Sequence, residues 1–395
     1  MADIFILTAA MVIILLLLRR KWNVGYVLMI ASLFLILTYR LTPDRILLVV
    51  KNTLTAPITL DLLIALTFIR IFEYILRDAR ALERMMKAMR GIFRNKKSVI
   101  ISMPLLIGML PSVGGAYFSA PMVDEATRDT PLTPEEKTFT NYWYRHPWEF
   151  ILPLYPGIIL ASVLTSIEVR TFILYNLPYA LTMFITGFFV LNKVHGKYPS
   201  IKGNPREIIL TFLPLIWLLV MVIVFKIPLH YALVILVLSL FVIYRYPVKK
   251  IKEAFRYGFS LNVITLIIGV ILFKETLELS GAVNNISSFF SEKEIPLLPV
   301  LFLLPFLTGL LTGLTVGFVG SSFPLIITLT GHDPLAFTFA FAAGFLGVLI
   351  SPVHVCLILT REYFKADIMG TYRKIFPAAG AVLIVALIEY FILRH

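Results

Sequence analysis

Residues 305–317 read Pro305-Phe306-Leu307-Thr308-Gly309-Leu310-Leu311-Thr312-Gly313-Leu314-Thr315-Val316-Gly317, in the middle of an apolar run from 297 to 329. The run is as greasy as a membrane helix, yet its centre is full of helix breakers. Proline removes a backbone donor, and glycine frees the chain from the helical well. A helix that starts near 297 should therefore stop at the threonines and glycines and restart beyond them. Such a break at membrane depth is tolerated only where protein or a wet cavity covers it. The reading is a re-entrant hairpin over 297–329. An earlier stretch repeats it. Pro104-Leu105-Leu106-Ile107-Gly108-Met109-Leu110 matches 305–311 at an offset of 201, and Ser119-Ala120-Pro121 matches Ser322-Phe323-Pro324 with two extra residues in the second copy. A second hairpin is expected over 98–123, with the tip Leu110-Pro111-Ser112-Val113-Gly114-Gly115-Ala116.

The rest of the chain supplies the solvent that this reading needs. Of 395 residues, 59% are hydrophobic and 15% charged, and the mean hydropathy is +0.88. Polar groups could not cover that much apolar surface in water, so lipid is the expected environment. About 20 helical residues cross a hydrocarbon core of about 30 Å. Apolar runs at 4–18, 22–38, 56–76, 150–165, 172–191, 208–225, 231–244, 260–279, 336–360 and 376–393 give about ten spans. The run at 4–18 precedes its positive charges, the reverse of a secretory signal, and reads as a first span. The net charge of +13 sits in short clusters such as Arg19-Arg20-Lys21 and Lys249-Lys250 between runs. That is the pattern of cytoplasmic loops rather than of a nucleic-acid-binding domain. With one cysteine, Cys356, neither a disulfide framework nor a cysteine metal site is expected within one chain.

Loop charge orients the spans. The segment 77–97 carries Arg77, Arg80, Arg84, Lys87, Arg90, Arg94, Lys96 and Lys97, which assigns it to the cytoplasm. Counting from it sets 19–21, 193–206, 245–252 and 361–374 inside, all basic, and both termini outside. About five spans and one hairpin then occur twice in opposite orientations: 1–193 as the first repeat, 194–206 as a cytoplasmic linker, 207–395 as the second. The expected fold is an all-α polytopic membrane protein of two inverted-topology repeats. Inverted repeats with paired interruptions mark secondary transporters, because one fold in two orientations has two states of similar energy.

The candidate binding residues follow from the interruptions. At the tips, exposed amides and small hydroxyls suit a desolvated anion, and helix-end carbonyls suit a cation. These are Pro111, Ser112, Gly114, Gly115, Thr312, Gly313 and Thr315, with sodium as a candidate ion near Ser112 and Thr312. Two spans are also broken, by Arg145-His146-Pro147-Trp148-Glu149 and by Ser351-Pro352-Val353-His354. His146, Ser351 and His354 join the candidates. Histidine can take up protons in the physiological range, or it can simply bond a carbonyl that a neighbouring proline has freed. Arg70 and Glu73, three apart, read as a structural pair, and Lys274 adjoins Glu275. His-Glu-x-x-His, Gly-x-Ser-x-Gly and phosphate-loop motifs are all missing, so neither an enzyme nor an on-chain ATPase is expected.

Gly108-Met109-Leu110-Pro111-Ser112-Val113-Gly114-Gly115-Ala116, Arg145 to Glu149 with Leu154-Tyr155-Pro156-Gly157, and Ser351 to Thr360 with Glu362-Tyr363-Phe364 resemble the membrane family called domain of unknown function 401. The resemblance covers nearly the whole chain. It implies a place in the ion-transporter superfamily of gluconate, citrate, dicarboxylate, arsenite and sodium–proton carriers, with hairpins meeting near the midplane, homodimers and elevator-like movement. Both tips depart from the Ser-Asn-Thr of the dicarboxylate branch. The first is more similar to the glycine-rich loops of the gluconate-type branch. The combined expectation is a plasma-membrane carrier of a small anion, an organic acid, coupled to protons or sodium as symporter or antiporter. An ion channel of the same architecture is the nearest rival, and an intramembrane enzyme using His146 and Glu149 the next.

Overall fold

The computed structural model describes residues 2–20, 22–79, 93, 95–109, 115–198, 205–281 and 296–394. The chain is an all-α membrane protein, and among the described residues the β-pairing is one isolated bridge between Asn95 and Lys197. The first elements are α1 (Ala2–Arg19), α2 (Val24–Thr38), α3 (Pro43–Thr55) and α4 (Pro57–Asp78). Then come α5 (Lys96–Gly108), α6 (Gly115–Ala126), α7 (Pro134–Trp143), α8 (Trp148–Ile151), α9 (Pro156–Thr165) and α10 (Val169–Thr186). Beyond 205 follow α11 (Pro205–Leu219), α12 (Leu229–Ile243), α13 (Val248–Gly258) and α14 (Leu261–Leu279). The chain closes with α15 (Leu297–Thr312), α16 (Thr315–Thr330), α17 (Pro334–Leu349), α18 (Val355–Phe364) and α19 (Ile368–Ile392).

Among the described residues, four helical stretches are long and apolar enough to cross a membrane: Pro43–Asp78, Pro134–Thr165, Val169–Lys193 and Ile368–Ile392. A fifth counts if α13 and α14, bent by 40°, form one span. Several expected spans are shorter apolar helices instead. The 15 residues of α2 and of α12 rise about 22 Å at 1.5 Å per residue, short of a full hydrocarbon core. Two segments read as loops are helical. α3 and α13 are amphipathic, with Asp44, Lys51, Lys249, Lys250 and Lys252 interleaved among apolar residues. Their charges masked the helical period from a reading based on hydropathy alone.

Glycine sets how closely the helices approach. A methyl group on Gly25 of α2 would fall 2.2 Å from the Thr265 carbonyl oxygen of α14, and one on Gly269 would fall 2.3 Å from the Gly25 carbonyl oxygen. The two backbones touch directly, as small residues allow in membrane helix pairs. Gly309 lies against the Gly344 carbonyl and Gly347 against that of Phe306, which welds α15 to α17 in the same way. Around these contacts lies a core of Leu, Ile, Val and Phe, while Leu37, Ile185, Val242, Ile243 and Ile388 stay exposed on the outer faces, where lipid would cover them.

Charged groups within the helices differ from expectation in their partners. Glu73 pairs with Arg77 at 2.7 Å. Arg70 instead donates to the Tyr257 carbonyl at 3.1 Å and lies over the Tyr257 ring. An (i, i+4) pair on one helix face brings the two charges closer than the i, i+3 spacing did here. Lys274 does meet Glu275 at 3.3 Å, but its shorter contact is Glu278 at 2.8 Å.

Candidate functional site

Two helices are interrupted where the sequence carries His-Pro and Ser-Pro, and the two interruptions meet. α7 begins on a capping box: Thr133 accepts from the Glu136 amide, and Glu136 accepts from that of Thr133. It stops at Trp143 because Pro147 offers no amide proton. One turn of helix, α8, follows before Pro153 and Pro156 impose a second break and α9 starts. α17 likewise ends at Leu349, and Ser351-Pro352-Val353-His354 carries the chain in non-helical form to α18.

Broken helix ends expose carbonyls that must find donors in a dry interior. Here each has one. Tyr142 Oη donates to the Leu349 carbonyl at 2.9 Å, and Tyr372 Oη to that of Ile350 at 3.0 Å. Tyr155 Oη donates to Gly108 at 2.5 Å, Trp148 Nε1 to Leu105 at 2.7 Å, and Ser351 Oγ to Leu310 at 2.6 Å. His146 Nδ1 lies 2.6 Å from the Tyr142 carbonyl oxygen, and His354 Nδ1 lies 2.7 Å from that of Gly313. A carbonyl oxygen only accepts, so both Nδ1 atoms carry the proton. The proline-freed-carbonyl role foreseen for the histidines thus accounts for one nitrogen of each ring.

The other nitrogens face one another. His146 Nε2 and His354 Nε2 are 3.1 Å apart, from residues 208 positions distant in sequence. Both rings are buried, at 1% and 7% exposure. Glu149 completes one side: its Oε1 lies 3.7 Å from His146 Nε2, and its Oε2 accepts from Thr315 Oγ1 at 2.6 Å. The Cys356 thiol completes the other, since ligand atoms of His146, His354 and Cys356 all lie within 4.8 Å of one another. Arg145, 4% exposed, adds a buried positive charge on the same turn. Close contacts hold the parts in register. A methyl on Gly108 would fall 2.2 Å from the Arg145 carbonyl oxygen, and one on Gly157 would fall 2.3 Å from Thr315 Cγ2. Gly313 adopts φ +61°, with the His354 backbone 3.0 Å from where its Cβ would be.

Against His146 lies a group of tilted and edge-to-face rings. Phe345 is 6.3 Å from His146 and 4.8 Å from Phe150, centroid to centroid. Phe341 links Phe150, Phe172 and Phe318 at 5.4–6.2 Å.

Of the residues chosen from sequence, the structure brings His146, His354, Ser351, Gly313 and Thr315 into one cluster. Thr312 is adjacent, but its hydroxyl donates back to the Thr308 carbonyl at 2.7 Å. Gly115 opens α6. Pro111, Ser112 and Gly114 lie outside the described residues, as does the Ser112 side of the candidate sodium site. Sequence reasoning named Glu149 only in the enzyme alternative and Tyr155 only within the family resemblance, and it selected neither Cys356 nor Tyr142. Glu149 stands three residues after His146, and Cys356 two after His354, so proximity to the chosen histidines was the one signal available. Tyr142 carries no motif at all. Across residues 3–393 the chain matches the family described as protein of unknown function (DUF401), and it belongs to that family. No curated protein matches it.

Proposed function

For this member of that family we propose secondary active transport of a small anion, an organic acid, by alternating access between two inverted repeats, 1–193 and 207–395. One observation carries the reading: the broken span of each half meets the broken span of the other, His146 against His354, at the centre of the bundle. The helix contacts also occur in exchanged pairs. α2 packs on α14 as α12 packs on α4; α3 on α14 as α13 on α4; α10 on α17 as α19 on α7; α9 on α16 as α18 on α6. Each partner of one pair stands roughly 200 positions from its counterpart in the other, the offset of the sequence matches. A two-fold relation of this kind supports hairpins at α5–α6 and α15–α16, and a place in the ion-transporter superfamily.

The chemistry fits an anion moved with protons. Arg145 supplies fixed positive charge, and the facing imidazole nitrogens can share a proton between them. Sodium is the other coupling ion that carbonyl-rich helix ends would suit. The assembly expected in the plasma membrane is a homodimer with both termini outside.

Counterflow into proteoliposomes tests the reading. A carrier loaded with unlabelled acid takes up the labelled form transiently above equilibrium, and His146→Gln should abolish this. A channel gives equilibration without overshoot, and an enzyme gives a changed product; either result would end the proposal. A thermal-shift screen of organic anions, with and without sodium, finds the substrate first, because ligands raise apparent stability.

A further inference from the structure

The group at the meeting of the two breaks holds one more piece of chemistry, independent of whether the chain transports anything. With both Nδ1 protons committed to carbonyls, neutral His146 and His354 point lone pairs at each other across 3.1 Å. Two lone pairs at that distance repel unless a donated hydrogen or a cation lies between them. The third neighbour is a thiol. We propose that His146 Nε2, His354 Nε2 and Cys356 Sγ form a binding site for a borderline-soft divalent transition metal of the zinc class.

The geometry suits such an ion. Zinc takes nitrogen at about 2.0–2.1 Å and sulfur at about 2.3 Å, and two nitrogens 3.1 Å apart at that range subtend roughly 100°, close to tetrahedral. All three ligand atoms lie within 4.8 Å of one another. Metal-bound histidine normally gives its other N–H to a carbonyl or carboxylate, which fixes ring and tautomer. Both rings already do so. A donor set of two imidazoles and one thiolate favours zinc, cobalt(II) or copper over magnesium and calcium. Glu149 Oε1, 3.7 Å from His146 Nε2, flanks the remaining position. Binding releases one proton, from the thiol to water; the Nε2 atoms have none to lose. The ion ties the first break to the second, because His146 comes from one and the other two ligands from the other.

Titrating the metal-stripped, purified full chain with cobalt(II) tests this. One ion per chain should bind saturably, giving intense visible d–d bands and a near-ultraviolet thiolate-to-cobalt band. Cys356→Ser should remove the thiolate band, and His354→Gln should weaken binding roughly tenfold or more. Cys356 is the sole cysteine, so a second measurement needs no variant: zinc should slow its alkylation by maleimide, read as intact mass. Failure of cobalt to saturate, a thiolate band that survives Cys356→Ser, or alkylation indifferent to zinc would each overturn the site and leave a shared proton in the gap. Counterflow is not involved, so these results stand apart from those on transport.

Discussion

Thr315 and Glu149 make the tightest side-chain link between the tip of α15–α16 and the first break. The carboxylate is buried, and Thr315 Oγ1 donates to it at 2.6 Å. Thr315→Val keeps the shape and removes the donor, which should cost about 1.5–3 kcal/mol, the range for a hydrogen bond to a charged group. Thr315→Ser should cost much less. Thermal unfolding in detergent separates the two, and equal midpoints would show that the hydroxyl is not what holds Glu149. Gly313 sets a different constraint. At φ +61°, with backbone of His354 3.0 Å from the site of a Cβ, Gly313→Ala should lose about 1–2 kcal/mol from the left-handed conformation, and counterflow should fall with it. Residues of this kind divide by how they can be read. His146, Ser351, Gly313 and Thr315 were legible because glycine, proline and ionisable groups are rare in an apolar run and each needs a reason. Cys356 and Tyr142 were not, because a cysteine or tyrosine there fits packing equally well, and only the fold sets them beside a histidine.

At the scale of helices, α2 and α14 test how much stability comes from bare backbone contact. Gly25→Ala and Gly269→Ala each insert a methyl where 2.2–2.3 Å remains, so each should cost about 1–3 kcal/mol as overpacking does. Both methyls enter one contact, so the double variant should lose less than the sum of the two. Additive losses by thermal unfolding would mean the helices do not meet there. This close approach was open to inference from glycine in apolar runs, though not its partner: Gly25 and Gly269 sit in different halves, and spacing alone pairs neither with the other. The breaks at 144–147 and 351–354 were legible from proline. The bounds of α2 and α12 fall within two residues of the apolar runs 22–38 and 231–244, where local caps start each helix: Asn23 accepts from the Gly25 amide, and Pro228 precedes α12. The charged helices α3 and α13 were missed, their lysines being taken for loop.

For the whole molecule, orientation is the first quantity to measure. In a Cys356→Ser background, a cysteine at the exposed position 249 should react with an impermeant maleimide only after cells are opened, while an epitope at the N-terminus should be reached from outside. The opposite pattern would invert the assignment. The paired contacts give a second expectation: disturbing α9 against α16 and disturbing α18 against α6 should harm exchange alike, since each seam joins a helix next to one break to a helix of the other half. Gly157→Leu, driven against Thr315, should abolish exchange; unaltered exchange would mean that this seam is not part of the cycle. The rings of Phe150, Phe341, Phe345 and Phe318 beside His146 have an electrical consequence. A stopper of interlocked aromatic edges offers no polar wall along which a hydrated ion could creep, so a planar bilayer carrying the protein should stay silent under applied voltage even while labelled solute trades places across it.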